Sequence, residues 1–174
     1  MEELKVTDNQ TESYDLLLTR VFDAPRELVF KVWTDPRHFG NWWGPKGFSL
    51  TVAKMDVRPG GLFLGSQKSP EGHEMWGKFV YREVTPPEKL VYVQSFSDAE
   101  GNTVRAPFDP NWPLEIINIL TLAEEDGKTV LTLQGGPLNP TEAERAAFER
   151  MRPMVSQGFG GTFDQLAAYL ASQQ

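Results

Sequence analysis

Residues Thr141–Leu170 read TEAERAAFERMRPMVSQGFGGTFDQLAAYL, and this stretch decides the fold. Phe148, Met151, Val155, Phe159, Phe163, Leu166 and Leu170 recur every three or four residues. That spacing puts them on one stripe of an amphipathic helix. Asn139-Pro140-Thr141-Glu142 supplies a start, and Thr141 with Glu144 forms a capping box. Unbroken, such a helix spans about 45 Å at 1.5 Å per residue. A compact domain of this size is only ~40 Å across. Pro153 cannot donate to the preceding turn, so a kink or two segments is expected near residues 152–157. Gly158, Gly160 and Gly161 each weaken a helix by roughly 1 kcal/mol relative to Ala. They fit either close packing on a sheet or a thinned segment able to move.

Upstream, the period is two. Tyr14–Phe22 (YDLLLTRVF) alternates, with Leu16, Leu18 and Phe22 on one face and Leu17 and Val21 on the other. Residues 1–12 before it read as a polar leader, and residues 13–174 as one domain. Asp23-Ala24-Pro25 opens a short helix to Thr34, and Asp35-Pro36 opens a second, to about Trp42. Strands are expected at Phe48–Val57, Leu62–Gln67, Met75–Val84, Leu90–Phe96, Leu114–Ala123 and Thr129–Gln134. Arg58-Pro59-Gly60-Gly61 reads as a turn with Gly in the φ > 0 position. Glu125-Asp126-Gly127-Lys128 is a hairpin signal. Ser97–Pro113 is a long polar loop. Short links without intervening helices imply a meandering antiparallel sheet.

The 174 residues are 40% hydrophobic and 24% charged, with eleven Phe, five Trp, four Tyr and five Met. With no cysteine there is no disulfide, thiolate nucleophile or Cys-based metal site. A formal charge of −7 opposes binding to phosphate backbones or anionic lipid. The acidic, polar N-terminal residues are unlike a secretory signal, so a cytoplasmic location is expected.

A curved sheet must cover its concave face, and the long apolar stripe is the only element large enough. The expected class is therefore α+β, a helix-grip fold. A curved antiparallel sheet wraps around the C-terminal helix, with two short helices after the first strand. Several motifs then carry a resemblance. They are Thr19–Pro25 (TRVFDAP), Asp35-Pro36, Trp42-Trp43-Gly44-Pro45, Asp56-x-Arg58-Pro59-Gly60-Gly61, Pro86–Val91 (PPEKLV), Trp112–Glu115 (WPLE) and Gln157–Leu166 (QGFGGTFDQL). In order and spacing the chain resembles the SRPBCC superfamily (START-like, birch-pollen-allergen-like). Within it, the chain is similar to the homologues of the activator of the 90-kDa heat-shock protein ATPase. The resemblance implies the helix-grip fold, a chaperone contact and a place in the stress response. Because this superfamily hosts carriers, cyclases and hydrolases alike, it does not select a function.

The catalytic motifs sought are absent: no GxSxG, HExxH, P-loop or EF-hand loop occurs. The two histidines, His38 and His73, are expected at the surface, and neither a metal nor a cofactor is expected. Arg20 stands on the apolar face of the first strand, where a guanidinium must be paired or reach water. It is an anchor for a ligand carboxylate, the partner of a structural carboxylate, or a side chain snorkelling to water at a strand end. The aromatic and Met residues form a core or the wall of an apolar cavity. The candidate ligand contacts are Arg20, Trp43, Phe48, Met55, Phe63, Met75, Phe79, Tyr92, Phe96, Trp112, Phe159 and Phe163. The expected partner is a small, mainly hydrophobic molecule, with the chain a monomer or homodimer. The rivals are an enzyme acting on such a molecule and a chaperone-partner protein. The charge also yields a first prediction. Duplex DNA and anionic vesicles should fail to retain the protein at physiological salt, and micromolar, salt-sensitive retention would contradict it.

Overall fold

The computed structural model describes residues 16–174. The leader expected over residues 1–12, and Tyr14 of the first expected strand, lie outside them. The elements run β1 (Leu16–Phe22), α1 (Arg26–Thr34), α2 (Pro36–Phe39), β2 (Ser49–Met55), β3 (Leu62–Lys68) and β4 (Glu74–Thr85). They continue β5 (Lys89–Ser97), β6 (Thr103–Val104), β7 (Ile116–Glu125), β8 (Lys128–Pro137) and α3 (Glu142–Ser172). The sheet order is β1-β8-β7-β5-β4-β3-β2, antiparallel throughout, with β6 paired to the end of β5. This is the helix-grip arrangement.

Turn chemistry sets the register. Asp126 and Gly127 adopt φ of 54° and 79°, the doubly positive pair a two-residue hairpin needs. They lock β7 to β8 from Glu125↔Lys128 onward. Gly60 has φ of 84°, and the turn it belongs to bonds directly to β4 through Gly60 N to Tyr81 O at 2.8 Å. Irregular pairing at Val52/Lys54 and Tyr81/Glu83 bends the sheet.

Three features differ from the sequence reading. The polar loop contains β6, two residues too short to leave a periodic signal. The last helix does not divide into two segments: α3 is one run of 31 residues with Pro153 inside it. Pro153 is exposed, so water can satisfy the carbonyl its missing N–H abandons. The helix begins as expected, with Thr141 and Glu144 forming a reciprocal capping box. Close packing of Gly158, Gly160 and Gly161 is also overturned: a Cβ at any of them would meet nothing within 4 Å.

Buried apolar residues fall into two clusters. The larger joins Phe22, α1, α2 and the cores of β3–β5, β7 and β8 to Phe163, Leu166 and Leu170 of α3. The smaller joins Leu16, Ala106, Trp112 and Phe148. Phe159 and Leu18 pack against both. The alternation expected for β1 holds: Leu16 and Phe22 are buried, whereas Leu17 and Val21 are exposed.

Asp35 closes α1 and caps α2. It accepts from Arg37 N at 2.9 Å and from Arg37 Nη2 at 2.7 Å. Those bonds hold its carboxyl down to about 2 from an ordinary 3.8. A carboxylate depressed in the folded state adds stability above its unfolded pKa, which is lost as pH falls through the folded one. Urea midpoints should therefore decline between about pH 4 and pH 2, and Asp35→Asn, which keeps a capping oxygen, should flatten that part of the profile. An unchanged profile would contradict the assignment.

Candidate functional site: an apolar cavity beneath the last helix

The cavity forms because α3 is held near its two ends. At the C-terminal end Phe163, Leu166 and Leu170 are buried in the larger cluster. Gln165 Nε2 donates to the carbonyls of Trp42 (3.1 Å) and Gly44 (2.7 Å), and Thr162 Oγ1 donates to Gly44 O (3.1 Å). At the N-terminal end Phe148 packs on Trp112, ring centroids 5.5 Å apart. Glu144, buried, accepts from Arg105 Nη1 at 2.6 Å, and that guanidinium lowers its pKa. Arg150 pairs with Asp109 at 3.6 Å. Between the ends lies a cavity of about 250 Å³.

The far wall is the sheet. Phe63, Gly65 and Gln67 of β3 face Phe79, Gly77 and Met75 of β4 in direct register, and all six line the cavity. The paired glycines Gly65 and Gly77 lower the floor. Beside them stand Gln94 and Phe96 of β5 and Ile116 and Asn118 of β7. The roof is Phe148, Val155 and Phe159 of α3. Trp43 closes one end, 5.5 Å from Phe79 and 6.1 Å from Phe159 by ring centroids. Phe108, 51% exposed, stands at the other, against Phe96 (5.8 Å) and Trp112 (5.5 Å).

The structure thus brings Trp43, Phe63, Met75, Phe79, Phe96, Trp112 and Phe159 together around one space. The other candidate residues lie elsewhere. Arg20 lies outside the cavity wall: it pairs with Asp164 of α3, approaches Gly160 O at 3.4 Å and lies 5.8 Å from the Phe22 ring centre. Of the alternatives for Arg20, the structure shows the ion pair. Phe48 precedes β2, half-buried, and Met55 ends β2 against the larger cluster. Phe163 is core, edge-on to Phe22. Tyr92 is fully buried and stacked on Phe79 at 4.2 Å. Burial pushes its hydroxyl pKa up, and that hydroxyl finds no protein partner. His38 departs from the surface expectation: half-buried, its Nδ1 lies 2.7 Å from the Tyr169 hydroxyl. His73 is exposed.

Gln94 and Asn118 escaped the sequence reading. The signal was present: Asn118 interrupts the buried face Ile116-x-Asn118-x-Leu120-x-Leu122, the same anomaly that drew attention to Arg20. Among the described residues no cluster of His, Asp and Glu is arranged to hold a metal, and no helix is long and apolar enough to cross a membrane.

Fold and cavity together define a helix-grip protein, and the comparisons narrow it. The family model described as "Activator of Hsp90 ATPase homolog 1-like protein" matches residues 23–171, and the chain belongs to that family. Among solved structures it is similar to protein Ms6760 from Mycobacterium smegmatis, at 26% identity, TM-score 0.72 and 90% coverage of each chain. Protein NE0264 from Nitrosomonas europaea matches at 25% identity and TM-score 0.72, over 94% of this chain and 97% of that one. The AHSA1 protein from Silicibacter pomeroyi, at 20% identity and TM-score 0.70 over 91% and 99%, shares the fold. No curated protein matches the chain.

Two glycines of the sheet, Gly77 in the wall and Gly135 behind Asn118, are separable by experiment. A Cβ on Gly135 would stand 2.6 Å from Asn118 Oδ1 and 2.9 Å from the Ile117 carbonyl, whereas one on Gly77 would meet nothing nearer than 3.7 Å. Gly135→Ala should cost about 1–3 kcal/mol in urea unfolding. Gly77→Ala should leave stability unchanged or slightly raised. Equal effects would contradict the packing described.

Proposed function

We propose that this protein is a binding module for a small, mainly apolar molecule held between the sheet and α3. The observation that carries the reading is the cavity itself: about 250 Å³, walled by aromatic rings, in a chain whose neighbouring core is densely packed. An apolar cavity of roughly 150 Å³ accommodates benzene, so this one suits about two fused rings. A ligand burying ~200 Å² of apolar surface gains roughly 5 kcal/mol before the cost of immobilisation. Micromolar affinity is the scale that follows.

Binding to the folded state alone raises the melting temperature with occupancy. Naphthalene-sized probes should raise it, and native mass spectrometry of freshly purified protein should show a retained small molecule. Phe79→Trp fills the space from the sheet and Val155→Phe from the helix, and either should abolish the shift. If no probe shifts the wild type, or if both filled variants respond as the wild type does, the binding-module reading fails.

A further inference from the structure

The polar side chains that strand alternation turns into the cavity are carboxamides: Gln67, Gln94 and Asn118. Two of them act together. Asn118, 1% exposed, donates from Nδ2 to Gln94 Oε1 at 3.1 Å. Its own Oδ1 lies over Gly135, whose missing Cβ makes the room. A carboxamide has two donor hydrogens and an acceptor. With Oε1 engaged, Gln94 presents Nε2. Among the described residues that nitrogen has no acceptor, and it is not sealed into the core, so it opens on the cavity its residue lines.

Charge is arranged differently. Lys78 is the ionisable residue in the wall, and alternation turns its side chain to the opposite side of the sheet, where Nζ donates to Gly101 O at 2.9 Å. Arg20 is engaged by Asp164, away from the cavity. A carboxylate bound here would lose its water without gaining a cation, and an unpaired buried charge is far more costly than an unpaired dipole. A neutral carbonyl, by contrast, needs only the donor that Gln94 offers.

We propose that the ligand class is a neutral, flat, apolar compound bearing a carbonyl that accepts from Gln94 Nε2. Asn118 is the positioning residue that fixes which end of Gln94 faces the ligand, and free carboxylic acids are excluded at neutral pH. This rests on reading the cavity as a binding site.

Three probes of nearly one shape test it by calorimetry at pH 7: 2-acetylnaphthalene, 2-isopropylnaphthalene and 2-naphthoate. The naphthoate should bind the wild type at least ~100-fold more weakly than the ketone. In Gln94→Leu the ketone-to-hydrocarbon affinity ratio should fall roughly tenfold while the hydrocarbon affinity is kept, which also shows that the variant folds. Asn118→Ala should move the same ratio in the same direction, a change that a purely structural loss would not produce. Naphthoate binding within tenfold of the ketone overturns the proposal, and this arm needs no variant. A ratio unmoved by Gln94→Leu also overturns it. If the hydrocarbon binds the wild type in either case, the binding reading survives and only the carbonyl assignment falls. If neither the ketone nor the hydrocarbon binds the wild type, both fall.

Discussion

The structure depends on one constraint: the fully buried anchors of α3 lie near its two ends, and Met151, Val155 and Phe159 between them are only partly buried. Its C-terminal third is held mainly by burial. Phe163, Leu166 and Leu170 are each worth about 1.5–3 kcal/mol when removed from water. The half-exposed Arg20–Asp164 pair is worth at most about 1 kcal/mol and serves to orient rather than to hold. At the other end the apolar contact is smaller, Phe148 on Trp112 and Leu16, so the buried Glu144 and its bond to Arg105 matter more. Removing one partner there would leave a charge stranded.

The cavity is the consequence of that fastening. Between the two apolar clusters the helix offers Val155 and Phe159, too few side chains to reach a sheet floored by Gly65 and Gly77. At Gly77 a side chain is withheld where a Cβ would meet nothing nearer than 3.7 Å, whereas Gly65 is already closed in by Phe63 and Leu50. The helix stays in one piece across the gap because Pro153 faces water and the capping box secures its start.

Much of this was legible in the residues. The 3.6-residue stripe located α3, the alternation of β1 located its buried face, and Asp126-Gly127 marked the hairpin that registers β7 on β8. Continuity through Pro153 was not legible, because it depends on which side of the helix meets water. Nor was β6, whose two residues pair only because β5 is already there. At the cavity, large aromatic residues identified themselves by size, which is why Trp43, Phe63 and Phe79 were found. Tyr92 and Phe163 share that chemistry and the faces of Gln94, Phe96 and Phe159, but they sit further along β5 and α3, where the larger cluster packs around them. Gln94 was hidden for another reason: its meaning comes from Asn118, a neighbour on a different strand.

The space under α3 is an accessible void and not a gap closed by side-chain rearrangement. Crystals pressurised with xenon test it directly, since xenon enters dry apolar cavities. Xenon density should appear between Phe79, Phe96 and Phe159, with the surrounding side chains unmoved. A structure with no xenon there, and with Trp43, Phe108 or Phe159 turned inward to fill the space, would contradict it.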